Sequence, residues 1–258
     1  MPEGPEILYL SKLCENYVLN KTLIGIDTVD HTHSIKIPHE SKIKRIMTKG
    51  KLLIFVMDTY YVHIHFGLDG WLLFDDPKYP RYKFTFKNSR DMYLDDSRKF
   101  SRIKIVKTVE ENDKILDKLG IDIMTEDFTF DYFKEQITSR SKSILALLMD
   151  QTCFAGIGNY IKNESLYLAK IHPKRKSSSL TNKEIKDLYN AIKYVAFSNF
   201  VDEMKTSKLH VDKFYESIKI EVPYKFKVYG KTIDPKGNKV IKDTIGGRGC
   251  YYVKEIQK

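Results

Sequence analysis

The sequence predicts an α+β protein: a leading helix, an N-terminal β-sandwich, then a helical part that returns to strands at its end. Three observations predict this. Apolar residues recur at helical spacing directly after the opening Met1-Pro2-Glu3-Gly4-Pro5-Glu6. Short apolar or alternating runs separated by turn residues fill residues 23–108. Beyond residue 109 the apolar period lengthens to that of helices, and residues 225–258 alternate again.

The first helix is carried by Ile7, Leu10, Cys14, Tyr17 and Val18, with Pro5 suited to its first turn. Residues 23–37 read as extended, broken by Gly25 and by the cluster around Pro38. Residues 52–56 form a short apolar run, most simply a buried strand, and 61–66 follow as a second. Tyr82, Phe84 and Phe86 alternate with Lys83, Thr85 and Lys87, as in a half-buried strand. Residues 92–94 and 103–106 continue the series. A linker is expected around 109–120. Helices are expected at 128–137, 141–150 and 181–197, the last opened by Thr181 and Glu184 at capping-box spacing. Asp234-Pro235-Lys236-Gly237 reads as a turn between the final strands.

The chain has 258 residues, 42% hydrophobic and 30% charged, with a net charge of +10. Two domains are the fair expectation at that length. The positive excess favours a polyanionic partner such as nucleic acid, with an anionic membrane surface second; charge alone fixes neither. No run of eighteen apolar residues and no signal-peptide pattern occurs, so the chain reads as soluble and intracellular, without a membrane partner. Cys14, Cys153 and Cys250 are odd in number and far apart, which excludes a disulfide framework or a CxxC zinc pair.

Several stretches carry chemistry. If Met1 is removed, Pro2 offers a secondary amine, a nucleophile that no side chain supplies. Glu3 lies one residue away, within reach for proton transfer. The same residues also read as a plain helix start. Lys51, at the entry of the 52–56 strand beside Gly50, can reach a phosphate or simply be solvated. His65 to Gly70 is a bend that either presents Leu68 as a wedge for a base stack or folds it inward. Arg98 and Phe100 lie two apart, on one side of an extended chain, which suits a cation and a stacking ring; a basic edge strand fits as well. Gly156-Ile157-Gly158-Asn159-Tyr160-Ile161-Lys162-Asn163-Glu164-Ser165 opens a helix after a glycine turn, a ready phosphate site with Asn159 as an added donor; a GxGN start alone fits an ordinary helix–helix turn as well. Gly246-Gly247-Arg248-Gly249 makes a hairpin tip that can hold Arg248 against a phosphate or leave it in solvent.

Taken together, and in order along nearly the whole chain, these stretches resemble the formamidopyrimidine-DNA glycosylase / endonuclease VIII family. The start, PEGPE, is similar to the endonuclease VIII branch. The resemblance implies a catalytic β-sandwich domain over 1–115, a helix–two-turn–helix DNA-binding domain over 116–222 and a finger over 223–258. It implies Pro2 as Schiff-base nucleophile, Glu3 as general acid/base, Lys51 as a phosphate contact near the sugar, and Glu6 as a further family position. Leu68, Arg98 and Phe100 would fill the void left by a flipped nucleotide, Asn159 would bind phosphate, and Arg248 would be the finger arginine. Damaged DNA is the implied partner, as duplex, single strand or bubble, with the protein acting as a monomer and with no cofactor. Family fingers carry two cysteine pairs. Here only Cys250 remains, which resembles the zincless finger of some endonuclease VIII-like proteins, packed by Val228, Ile233, Val240, Ile241, Tyr251 and Val253. Ser97 and Ser101 stand where the family has proline and glycine. Residues 199–221 are where a base-covering loop would lie. Other readings stay open: a non-catalytic damage sensor on the same scaffold, or a glycosylase preferring 8-oxoguanine.

Overall fold

The structure is a computed structural model that describes residues 2–29, 34–209 and 224–258. It divides into two compact units. The first holds residues 1–2 and 6–118, and the second holds 3–5 and 119–258.

Helix α1 spans Gly4–Tyr17. Ile7, Leu10, Cys14 and Val18 are fully buried along one face, as the spacing predicts, and burial pushes the Cys14 thiol well above its usual range. Tyr17 departs from that face: it is 42% exposed and stacks on Phe74.

The first unit continues with β1 (Thr22–Thr28), β2 (Ser41–Lys42), β3 (Arg45–Lys49), β4 (Leu52–Val56) and β5 (Tyr61–His65). It is completed by β6 (Trp71–Leu73), β7 (Pro80–Phe86), β8 (Met92–Asp95) and β9 (Arg102–Val106). The strands form two antiparallel sheets, ordered β2-β1-β7-β8-β6 and β3-β4-β5-β9. Tyr82, Phe84 and Phe86 point inward as their alternation predicts, and Phe84 meets Phe55 of the other sheet edge-on at 6.3 Å. The two apolar faces thus close on one core, which is the expected sandwich. Extension of the chain after β1 is shorter than the expected 23–37; Ser34 makes only an isolated bridge to Asp27, and 30–33 lie outside the described residues.

The expected linker at 109–120 is instead opened by helix α2, Val109–Leu116. The physical reason lies at its N-terminus. Thr108 accepts from the Glu111 amide at 3.1 Å, and Glu110 and Glu111 sit at the positive end of the helix. Its buried Asn112 is hydrogen-bonded to His63 on β5 at 2.9 Å.

The second unit contains β10 (Ile121–Asp122), paired in parallel with β11 (Phe154–Ala155). Between them lie α3 (Phe130–Thr138) and α4 (Ile144–Leu148). Helix α5 (Asn159–Leu168) packs on α6, Asn182–Thr206, around a core that includes Phe128, Phe133, Phe154 and Tyr189. The capping box of Thr181 and Glu184 is formed, and the Arg175 guanidinium beside it draws the Glu184 carboxyl down to about 2. Helix α6 runs nine residues past its expected end at 197 because Phe200, Val201 and Met204 continue its buried face. It therefore takes up the first part of the 199–221 stretch; 210–223 lie outside the described residues.

The C-terminal segment is less stranded than its alternation suggests. Only β12 (Ile241–Ile245) and β13 (Arg248–Tyr252) form a ladder. The turn at 234–237 is present, with the Gly237 amide donating to the Asp234 carbonyl at 3.0 Å. Val228, Val240 and Val253 pack with Tyr167, flanked by Tyr251, while Ile241 packs on Cys250 and Tyr252. Ile233 does not join them; it is 60% exposed. The Asp234 carboxylate supplies the order Ile233 does not: it accepts from the Lys236 and Asn238 amides and from Tyr167 Oη. A four-cysteine zinc site does not fit this segment, whose single thiol, Cys250, is buried and pushed up to about 11.

Candidate active site and nucleic-acid interface

Pro2 is buried immediately before α1. Its neighbour Glu3 is committed elsewhere, to a helix far along the chain. Helix α5 opens with Gly158 as N-cap, which has no side chain to satisfy the first amides. The Glu3 carboxylate takes that place, accepting from the amides of Gly158 at 2.9 Å, Tyr160 at 2.9 Å and Ile161 at 3.2 Å. Negative charge is favoured at a helix N-terminus, and the amides there are donors without helical partners. Glycine at 158 is a matter of space: a Cβ would stand 2.2 Å from the Glu3 carboxyl carbon. The adjacent Gly156 has φ +102° and its carbonyl accepts from the Gly4 amide at 2.9 Å. Gln151 braces this turn, donating to the Ile157 carbonyl and accepting from the Gly156 amide. Tyr229 stands nearby: burial, then the Glu3 charge, raises its phenol above the usual range.

Asn159 is the first helical residue of α5 and half-buried. Arg248 is exposed at the start of β13. It follows a two-residue turn in which Gly246 and Gly247 have φ of 57° and 74°, the left-handed pair that closes a tight hairpin. Among the described residues it makes no side-chain hydrogen bond or ion pair, and it lines a cavity of about 380 Å³ with Leu145, Met149 and Gln151.

In the first unit, Lys51 is the second residue of the β3–β4 hairpin turn, after Gly50 at φ 60°. That is the turn in which glycine is needed only at the first position. Its charge acts on His65 across β4–β5: crowding by the surrounding protein, then Lys51 and Arg102, holds the imidazole below its usual range although the residue is exposed. Glu6 lies half-buried in the first turn of α1.

Leu68, Arg98 and Phe100 are brought together by two interlocked bends of the first unit. Gly67, at φ +65°, lies against the Phe100 backbone, where a Cβ would come within 2.5 Å. Ser97 Oγ donates to Asp69 at 2.5 Å. Buried Asp96 accepts from the Ser101 amide and Arg81; burial opposes its charge, but these bonds keep its carboxyl below the usual range. Ser97 and Ser101, two of the departures from the family pattern, thus each make a bond within the bend. The expectation of an extended 98–100 segment is not met: residues 97–98 turn and Lys99 has φ 58°. The Arg98 guanidinium nevertheless sits 5.3 Å from the centre of the Phe100 ring, which is 51% exposed. Leu68 is half-buried, between the two readings of its bend.

Three residues that tie the second unit's site together had no role in the sequence reading: Lys162 and Glu164, which lie inside the 156–165 motif, and Tyr229. Lys162 and Glu164 are fully buried. Glu164 accepts from the amides of Lys227, Val228 and Tyr229 and from Tyr224 Oη. The available signal was two charges inside a helix whose every residue from 160 to 167 is buried, a fact of packing that periodicity cannot supply.

The comparisons agree with this architecture. The formamidopyrimidine-DNA glycosylase N-terminal domain matches residues 1–103, and the H2TH domain of the same enzymes matches 119–209. The formamidopyrimidine-DNA glycosylase of Bacillus cereus is 29% identical over 98% of this chain and 97% of its own length. That of Bacillus subtilis is 27% identical over 100% and 99%. Among solved structures, MutM (Fpg) of Thermus thermophilus superposes with a TM-score of 0.83 at 24% identity, covering 99% of this chain and 98% of that one. Lactococcus lactis Fpg, solved with DNA containing an oxidised pyrimidine, gives 0.80 at 25% identity over the whole of both chains. Fold and matches define a DNA glycosylase. The chain belongs to the formamidopyrimidine-DNA glycosylase / endonuclease VIII family.

Proposed function

We propose that the chain is a bifunctional DNA glycosylase and abasic-site lyase of base excision repair, acting as a monomer on damaged DNA and needing no cofactor. Its working parts are a catalytic domain over 1–115, a helix–two-turn–helix domain over 116–222 and a zincless finger over 223–258. The observation that carries the reading is the Glu3 carboxylate, fixed by three amides of α5 one peptide bond from Pro2.

Loss of Met1 frees the Pro2 nitrogen. The damaged nucleotide is flipped from the duplex, and Leu68, Arg98 and Phe100 occupy the space it leaves. Lys51, Asn159 and Arg248 bind backbone phosphates. The neutral amine of Pro2 attacks C1′ of the deoxyribose and the base departs with the electron pair of its glycosidic bond. Glu3 supplies and removes protons as the sugar ring opens, leaving an iminium between Pro2 and C1′. The iminium acidifies the C2′ proton; its removal expels the 3′ phosphate, a second elimination expels the 5′ phosphate, and water then hydrolyses the iminium to release Pro2. Glu6 stands by the same residues at the start of α1.

Oxidised pyrimidines and hydantoins are the proposed substrates, on the PEGPE start. The names of the curated relatives favour a second reading, an oxidised-purine preference of the formamidopyrimidine or 8-oxoguanine kind. A side-by-side incision panel separates the two.

The test of the chemistry is borohydride reduction of the protein, confirmed to begin at Pro2, mixed with lesion-bearing duplex. A covalent adduct is expected, and Pro2→Thr is expected to abolish it while retaining most DNA affinity. A wild-type protein that binds the duplex but yields no adduct leaves the damage-sensor reading in its place.

A further inference from the structure

Lys162 has no exposed surface, and lysine is among the residues least often fully buried. Its ammonium donates to Asn159 Oδ1 at 3.0 Å and to the Gly249 carbonyl at 2.8 Å. The first partner is one helical turn back on α5; the second is 87 residues on, in β13, next to Arg248.

Each contact has a directional consequence. A carboxamide whose oxygen faces the lysine must turn its NH2 the other way, and NH2 is the only part of asparagine that can donate to an anion. The Gly249 contact fixes the Gly249–Cys250 peptide, one residue beyond Arg248. The hairpin tip itself is open: a Cβ at Gly246, Gly247 or Gly249 would meet no atom within 4 Å. One buried cation therefore orients the donor at the head of α5 and ties down the strand that carries the arginine.

We propose that Lys162 is a positioning residue for phosphate recognition, presetting Asn159 and Arg248 as one unit that grips DNA phosphodiesters. The inference rests on the function proposed above. It adds that the two phosphate ligands are coupled through a side chain that touches no DNA.

The test measures affinity for a duplex carrying a tetrahydrofuran abasic analogue, which the protein cannot cleave. Lys162→Met is expected to bind about tenfold more weakly, the usual effect of losing hydrogen bonds to a charged group, with an ordinary unfolding transition. In an Asn159→Ala/Arg248→Ala background the same change is expected to cost less than about twofold, because residues acting as a unit are not additive. Single-turnover base release at saturating protein is expected to stay near wild type. Lys162→Met binding like wild type, or keeping its full effect in the doubly substituted background, overturns the proposal. Should Lys162→Met fail to fold, Lys162→Gln and Lys162→Arg carry the comparison: Gln is expected to weaken binding and Arg, with donors for both oxygens, to retain it. Equal affinities for that pair overturn it as well. A wild-type protein that neither binds this duplex nor traps on damaged DNA would instead sink the underlying function.

Discussion

Phe100 and Arg98 show how a residue-level reading survives an error in backbone. The alternation argument placed them on one side of an extended chain, yet the segment turns at 97–98 with Lys99 in the left-handed region. The guanidinium still covers the ring, because attraction between a cation and an aromatic face needs only proximity. Half of the ring remains exposed, available to a base or to the gap beside one. Stacking on an aromatic side chain is worth about 1–3 kcal/mol per base, so Phe100→Ala is expected to weaken binding to an abasic duplex by roughly tenfold. Fluorescence anisotropy checks it, and an unchanged Kd removes Phe100 from the interface.

Among the elements, α5 concentrates the site. Its N-terminus is closed by Glu3, its second turn holds Lys162, and Glu164 receives the amides of 227–229. Gly158 is the narrowest point, and its extended backbone at φ −129° would suit any residue. Only the space claimed by Glu3 excludes a side chain. Gly158→Ala is therefore expected to displace the carboxylate, lower stability by about 2 kcal/mol through lost charged hydrogen bonds, and slow adduct formation at least tenfold. Thermal unfolding and borohydride trapping measure the two effects separately. Elements with strong local signals were legible in the sequence: β4, the alternating β7, and α6 with its capping box. Helix α2 was legible too, from Thr108 and Glu111 at capping-box spacing, but its position at a change of character made it read as a linker. Glu3 as the cap of α5 was not legible, because a partner 155 residues away leaves no local pattern.

For the whole molecule, the net charge of +10 pointed to a polyanion without saying which cations meet it. Two of the proposed phosphate contacts, of different kinds, make that separable. Each cation bound to phosphate releases counterions and contributes about −0.9 to the slope of log K against log salt. Lys51→Met is expected to flatten that slope by about one contact, whereas Asn159→Ala weakens binding with the slope unchanged, since a neutral amide displaces no ion. Binding isotherms across a salt series decide it. The family was recognisable from the order of its motifs; the internal wiring between them was not, because contacts such as Lys162 to Gly249 exist only once the chain has folded.

If the proposed function holds, the grip of α5 on Glu3 also sets a clock on maturation. While the polypeptide is still emerging from the ribosome, its opening residues have no seat until residues 158–161 have been made. At a synthesis rate of about 5–20 residues per second, roughly 8–30 seconds pass before that seat exists, the interval in which the loss of Met1 proposed above would take place. On the proposed function, a chain still carrying Met1 when α5 takes hold of Glu3 would fold around a blocked nitrogen.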